Sequence, residues 1–420
     1  MLRNPELRGK AIAVCGDQEK RHGIVLAKSE PAKKFGVKTG MPIWQAKSLC
    51  PDIIIVSTNH ADYDRYGKIV REIYYRYTDL VEAFGCDECW LDLTNTPVMK
   101  THTPAEFANE LREIVKREVG LTISVGVSWN KAYAKIGSDL KKPDATTVID
   151  RQNYRDVIFP LDVTDMLFIG KKTAEALKRI NIRTLGELAV ADPVALAGHF
   201  GVNAYRMVQM ARGGDDEQVQ SLDHKRTVKS VGNGTTMHRD LVTIDDVETV
   251  LYILAEEVGW RLRKKGFAGS TVHLSVRGTD LTWSGAQKSI PKPTNAAKII
   301  QQTAMEIFRQ INNIDVVQNT RSGSHPPHPT HDELTHVVQN TRSGSHPPFP
   351  PVHSIRISVS GLTTDMCEQM SLFDTPTSKN HDVLSRTFDK IRKKYGTKSI
   401  MFATSARDFE MTFEVLDEFF

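Results

Sequence analysis

The stretch Val81-Glu82-Ala83-Phe84-Gly85-Cys86-Asp87-Glu88-Cys89-Trp90-Leu91-Asp92-Leu93-Thr94 sets two short apolar runs on either side of an adjacent acidic pair. Runs of strand length rich in Val, Phe, Trp and Leu bury at least one face of a sheet. Carboxylates between them therefore fall where the chain reverses or opens into a cleft. Neighbouring acids on a rigid hairpin can share a divalent cation, because Mg²⁺ takes carboxylate oxygens and keeps positions open for phosphate. A solvated turn is the commoner use of such a pair. The surrounding sequence has to decide.

The 420 residues allow two to four domains, and 40% hydrophobic with 25% charged residues is ordinary globular composition. A net charge of +4 and a pI near 8.6 permit a nucleic-acid partner without requiring one. The five cysteines are scattered, and Cys86 and Cys89 have no second Cys or His pair at zinc spacing. They read as reduced apolar side chains of the hairpin. The opening residues carry no signal peptide and no apolar run reaches 18 residues, so the expectation is a cytoplasmic protein with no membrane partner.

Ala11–Val14 and Gly23–Ala27 read as strands around the charged turn Asp17–His22, and Ile43–Cys50 as a short helix stopped by Pro51. Between them, Lys33, Lys34 and Lys38 lie beside Gly36 and Gly40, a grouping suited to gripping polyphosphate and equally that of a solvated loop. Ala61–Asp79 carries apolar residues near 3.6 spacing. Pro104–Val119 opens with a Thr103 cap, and Leu121–Ser128, Ala132–Leu140 and Thr146–Ile149 read as strand, helix and strand.

Three segments resemble the Y-family (lesion-bypass) DNA polymerases, with the bacterial DNA polymerase IV-like group nearest. Gly23–Ser29 through Gly36–Ile43 is similar to that family's fingers, and the Cys86-Asp87-Glu88 hairpin to its second acidic motif. Thr122–Lys131, with Ala134-Lys135 and Lys141-Lys142-Pro143-Asp144, is similar to its third palm motif. The resemblance covers residues 5–310 and again 353–400. It implies primer extension by two-metal phosphoryl transfer, with two Mg²⁺ ions, deoxynucleoside triphosphates and primer-template DNA. Asp87 would bridge the metals, Glu88 would bind the ion nearer the primer, and Lys33 and Lys142 would contact the triphosphate.

Two departures qualify that expectation. Family members carry a first metal-binding Asp on an N-terminal strand, followed by an aromatic residue that screens the sugar. This chain opens at Met1-Leu2-Arg3-Asn4-Pro5, which resembles the segment just after that strand and its helix. Glu30 also stands where a tyrosine usually touches the triphosphate, and its carboxylate would repel the anion. The expectation is therefore an α+β multidomain right hand whose ferredoxin-like palm lacks its first strand and whose activity is impaired. A catalytically inactive damaged-DNA- and clamp-binding remnant is the rival. A palm-type nucleotide cyclase would need none of the accessory domains that follow.

Those domains continue the resemblance. Residues 1–56 read as fingers with the start of the palm, 57–165 as palm, and 166–212 as a helix-hairpin-helix thumb. In the thumb, Gly170 and Lys171 would hold a DNA phosphate at a helix start. Residues 213–228 are a polar linker, and 229–361 follow the β-α-β-β-α-β order of a little finger. Lys229, Arg239, Lys288 and Lys292 are its candidate DNA contacts. Val316–Pro327 recurs unchanged as Val337–Pro348, a local duplication read as a disordered insert over 314–351. In the 362–420 tail, Gln369, Leu372 and Phe373 resemble the peptide that docks bacterial polymerases on the sliding clamp. A monomer is expected.

Overall fold

The computed structural model describes residues 4–16, 23–221, 223–224, 227–313, 349–364, 376–396 and 399–400. They fall into two compact units, Met1–Gly9 with Thr58–Lys225, and Lys10–Ser57 with Arg226–Phe420.

The second unit opens with a three-stranded sheet. Strand β1 (Ile12–Cys15) lies between β2 (Val25–Lys28), antiparallel to it, and β3 (Ile54–Ser57), parallel to it. Helices α1 (Glu30–Lys34) and α2 (Ile43–Leu49) close a small core of Ala13, Cys15, Val25, Ala32, Val37, Ile43 and Ala46. The lysines read as a basic turn begin inside a helix: Ser29 caps α1, its hydroxyl accepting from the Ala32 amide at 3.4 Å. Strand β3 has no counterpart in the sequence reading.

In the first unit, α3 (His60–Tyr74) precedes the hairpin β4 (Val81–Phe84) and β5 (Glu88–Leu91). The helix stops five residues short of the expected Asp79. Its amides shift to i→i−3 partners at Arg76 and Tyr77, and Thr78 spends its hydroxyl on the Asp92 carbonyl at 2.8 Å. Helix α4 (Pro104–Val119) has the expected bounds. Its start is fixed by a reciprocal Thr103–Glu106 capping box and its end by Gly120 at φ +73°. Strand β6 (Val125–Val127), helix α5 (Lys131–Leu140) and strand β7 (Thr146–Val148) follow. Of the strand expected over Leu121–Ser128, only three residues pair, because β7 offers a parallel ladder just three residues long. The palm strands thus form two separate two-stranded ribbons, β4-β5 and β6-β7.

Helices α6 (Tyr154–Ile158), α7 (Lys171–Arg179), α8 (Leu185–Val190), α9 (Pro193–Phe200) and α10 (Asn203–Ala211) complete this unit. They share a core of Leu177, Leu185, Leu188 and Val208 that also takes in Tyr133 and Ile136 of α5.

The remaining elements belong to the second unit: β8 (Ser230–Leu241), α11 (Ile244–Lys264), β9 (Phe267–Gly278), β10 (Trp283–Thr294), α12 (Ala297–Ile311), β11 (Val352–Thr364) and α13 (Pro376–Tyr395). The four strands form an antiparallel sheet in the order β10-β9-β11-β8, the β-α-β-β-α-β arrangement expected. Helices α11 and α12 bury Leu251, Leu254, Val258, Ile300 and Phe308 against it. Among the described residues no helix is long and apolar enough to cross a membrane. The turn 17–22, the repeat at 316–348, the clamp-peptide residues Gln369, Leu372 and Phe373, and the segment 410–420 lie outside the described residues.

Candidate active site

Asp87 occupies the exposed turn between β4 and β5, and Glu88 is the first residue of β5, paired with Phe84. The turn is held from behind by α3. A Cβ at Gly67 would overlap the Cys86 carbonyl oxygen, so only glycine lets the helix approach this closely. The four cysteines among the described residues are unbridged. Burial pushes the Cys89 thiol up to about 11, which keeps it an uncharged packing group as the sequence suggests.

Glu88 is tied into a line of alternating charge. Its carboxylate accepts from Lys135 Nζ at 2.9 Å. The same ammonium reaches Asp139 at 2.7 Å, and Asp139 pairs with Lys142 at 2.6 Å. Burial alone would weaken the Lys135 ammonium. The Asp139 and Glu88 carboxylates outweigh that and hold its pKa above the usual lysine value. Asp139 is pushed up by burial and drawn down further by Lys135 and Lys142, so its carboxyl stays below the usual range. Two residues beyond Lys142 the chain is anchored at Asp144. Asp144 receives two guanidinium bonds from Arg112 of α4, at 2.8 and 3.2 Å, and a third from Lys116 at 3.3 Å.

Beneath the hairpin lies a second, buried pair. Lys131 Nζ donates to Glu82 at 2.8 Å, with both side chains less than a tenth exposed. The Lys131 ammonium sits 4.7 Å from the centre of the Trp90 ring, and Trp90 Nε1 donates to the Lys131 carbonyl at 3.0 Å. Glu82 also accepts from the Gln220 amide at 3.0 Å, and Glu217 reaches Lys131 at 3.4 Å. The sequence reading assigned no role to Lys131, Lys135 or Asp139. Their i, i+4, i+8 spacing along one face of α5 was the available signal.

The other expected site residues are dispersed. Lys33 sits on α1 in the second unit, 3.6 Å from Glu30, so the lysine and the misplaced acid partly neutralise each other. Gly170 is the N-cap of α7 without a side-chain cap, and Lys171 is exposed at the first helical position. Beside them Phe168 is 60% exposed at φ +68°, flanked by Arg206 at 4.9 Å and Phe84 at 6.5 Å. A bulky residue in the left-handed region is strained, and little burial compensates it here. Phe168→Gly is expected to leave stability unchanged or raise it by about 1 kcal/mol despite losing the Arg206 contact, as read by thermal melting. Lys229 and Lys292 are exposed, next to β8 and on β10. Arg239 donates two hydrogen bonds to Asp246, at 2.8 and 3.1 Å, and Lys288 pairs with Glu306 at 2.9 Å.

Among the described residues no group of three or more His, Cys, Asp or Glu side chains converges on a metal position. Asp87 and Glu88 do suit Mg²⁺, which typically takes one or two carboxylates and fills its remaining positions with water and substrate phosphate. The turn offers hard oxygens at an open corner, and Lys142, linked to it through Lys135 and Asp139, suits the phosphate.

The sequence profile described as the impB/mucB/samB family matches residues 1–139, and that of the impB/mucB/samB family C-terminal domain matches 228–372. The chain is 37% identical over 401 residues to a DNA polymerase IV of Acetivibrio thermocellus, covering 95% of this chain and 92% of that protein. It is 31% identical to DNA polymerase IV 1 of Bacillus subtilis, with 95% and 88% coverage. The solved structure of a Y-family DNA polymerase chimera of Dbh and Dpo4 is similar at a TM-score of 0.67 and 21% identity, covering 86% of this chain and 94% of that one. An insertion ternary complex of Dbh DNA polymerase is similar at a TM-score of 0.53 and 20% identity, with the same coverage.

Proposed function

Since the chain belongs to the impB/mucB/samB family and is a Y-family, DNA polymerase IV-like DNA-directed DNA polymerase, we propose that it copies damaged template DNA with the Asp87–Glu88 turn as its reaction centre. The observation that carries this is the charge line Glu88–Lys135–Asp139–Lys142, which joins the acidic turn to a lysine in one compact unit.

In this reading Asp87 and Glu88 hold magnesium. When bound there, the ion would supply charge neutralisation at the triphosphate and activation of the primer 3′-hydroxyl. Lys135 holds the Glu88 carboxylate in orientation. Lys142 binds the triphosphate and is kept in place through its pair with Asp139, with the chain anchored two residues further on at Asp144. Lys33 adds a second cation toward the triphosphate, and Gly170 with Lys171 takes a phosphate of the duplex at the start of α7. Lys229 and Lys292 contact the DNA backbone, with Arg239 and Lys288 joining once they leave their carboxylate partners. A sliding clamp engages Gln369, Leu372 and Phe373.

Primer extension on undamaged and lesion-bearing templates tests this. Extension past the lesion that requires Mg²⁺ is the expected result, and Lys142→Ala should raise the nucleotide KM about 10- to 100-fold, the worth of one charge-assisted phosphate contact. Primer-template binding without any extension would instead establish the rival reading, an inactive DNA- and clamp-binding protein.

A further inference from the structure

Helix α13 lies beyond both segments matched by the family profiles, which end at residue 372. Its inner face is pinned to α11. Asp389 accepts two bonds from Arg263, at 2.6 and 2.9 Å, and Arg392 donates to Glu256 at 2.6 Å. Phe388 is 9% exposed between them, with the Arg392 guanidinium over its ring.

The opposite face is basic. Arg386, Lys390, Lys393 and Lys394 follow at i, i+4, i+7 and i+8, which places them on one stripe, and all four are exposed. The acid of this stretch, Asp389, is turned inward to Arg263, so the stripe carries a single sign. Among the described residues no carboxylate pairs with Lys390, Lys393 or Lys394, whereas Lys288 and Arg239 of the sheet are both neutralised. Tyr395 follows at 64% exposure, with Lys394 Nζ 4.9 Å from its ring centre.

We propose that the outer face of α13 is a second DNA-backbone surface of this protein, distinct from the sheet strands. Eight residues of helix span about 12 Å, long enough to meet two successive phosphates of one strand. Unpaired ammonium groups gain most from such contact, because they have no carboxylate to leave and release condensed cations from the DNA. An exposed tyrosine beside them adds a face on which a sugar or an unpaired base can rest. The surface rests on the polymerase reading only in that both need DNA as partner.

The test is equilibrium binding of a fluorescent primer-template to the full chain over a series of salt concentrations, for wild type and for the triple variant Lys390→Ala, Lys393→Ala, Lys394→Ala. These side chains are exposed, and unchanged circular dichroism melting confirms the fold. At low salt the triple variant should bind about tenfold or more weakly, and its log affinity against log salt should be shallower by roughly 2–3. Equal affinity and equal slope for the two proteins overturn the surface, whatever other polyanion the helix meets. Failure of the wild type itself to bind DNA would instead count against the polymerase reading, so the two failures are separable.

Discussion

Asp87→Asn should leave the fold and primer-template binding intact and lower the rate of primer extension by about 10²- to 10³-fold, the usual loss when one preorganised charge is removed from a reaction centre. The residue stands in an exposed turn, and the contacts of its carboxylate are slight, a Cys86 thiol at 3.8 Å among them. Nothing structural depends on it, so a loss of rate reports chemistry. The measurement is single-turnover extension across a magnesium titration. A loss that high magnesium partly restores identifies Asp87 as a ligand, and a rate unchanged at all concentrations removes the turn from the mechanism. Glu88→Gln is the weaker experiment, because it also breaks the Lys135 contact and disturbs Asp139 and Lys142 behind it.

Glu82→Ala should be strongly destabilising to the first unit. Its side chain is 7% exposed and it neutralises Lys131, itself 6% exposed, while accepting the Gln220 amide. Removing the acid leaves a buried ammonium whose remaining carboxylate, Glu217, is 3.4 Å away and half in solvent. Stranding one partner of a buried pair costs about 3–5 kcal/mol. For a unit of this size that corresponds to a fall of roughly 10 °C in its melting temperature. The double variant Glu82→Gln, Lys131→Met should recover most of the loss, since it removes both charges and keeps an oxygen for Gln220. Calorimetric melting of wild type, Glu82→Ala and the double variant checks both statements. A Glu82→Ala melting point within 2 °C of wild type would mean that water reaches Lys131.

The periodic elements were legible because local chemistry fixes them. Thr103, Pro104 and Glu106 specify one end of α4 and Gly120 the other, and the alternation of apolar runs and turns from 230 to 360 yields the four-stranded sheet. Where the reading missed, tertiary partners decided. Leu121–Ser124 has strand composition, but its neighbour β7 provides ladder positions only from Val125 onward. Ile54–Ser57 is too short to stand out until β1 lies beside it. The acidic pair at 87 and 88 could be picked out by type and adjacency. Its support was legible only in part: the i, i+4, i+8 spacing marks one face of α5, but Lys135 meets Glu88 only once α5 has packed against the hairpin. The same holds for Arg239 and Lys288, whose composition suggests contact with DNA while their carboxylate neighbours lie elsewhere in the chain.

The Gly213 carbonyl accepts from Trp129 Nε1 at 3.0 Å and from Asn130 Nδ2 at 3.1 Å, and a Cβ on Gly213 would press into both the Trp129 and Tyr133 rings. With Gln220 held on Glu82 seven residues later, the segment 213–220 is fastened at both ends to the first unit. The stretch 213–220 therefore belongs to the packed surface of the first unit, and a protease that needs extended backbone should cut it more slowly than an unfastened polar segment.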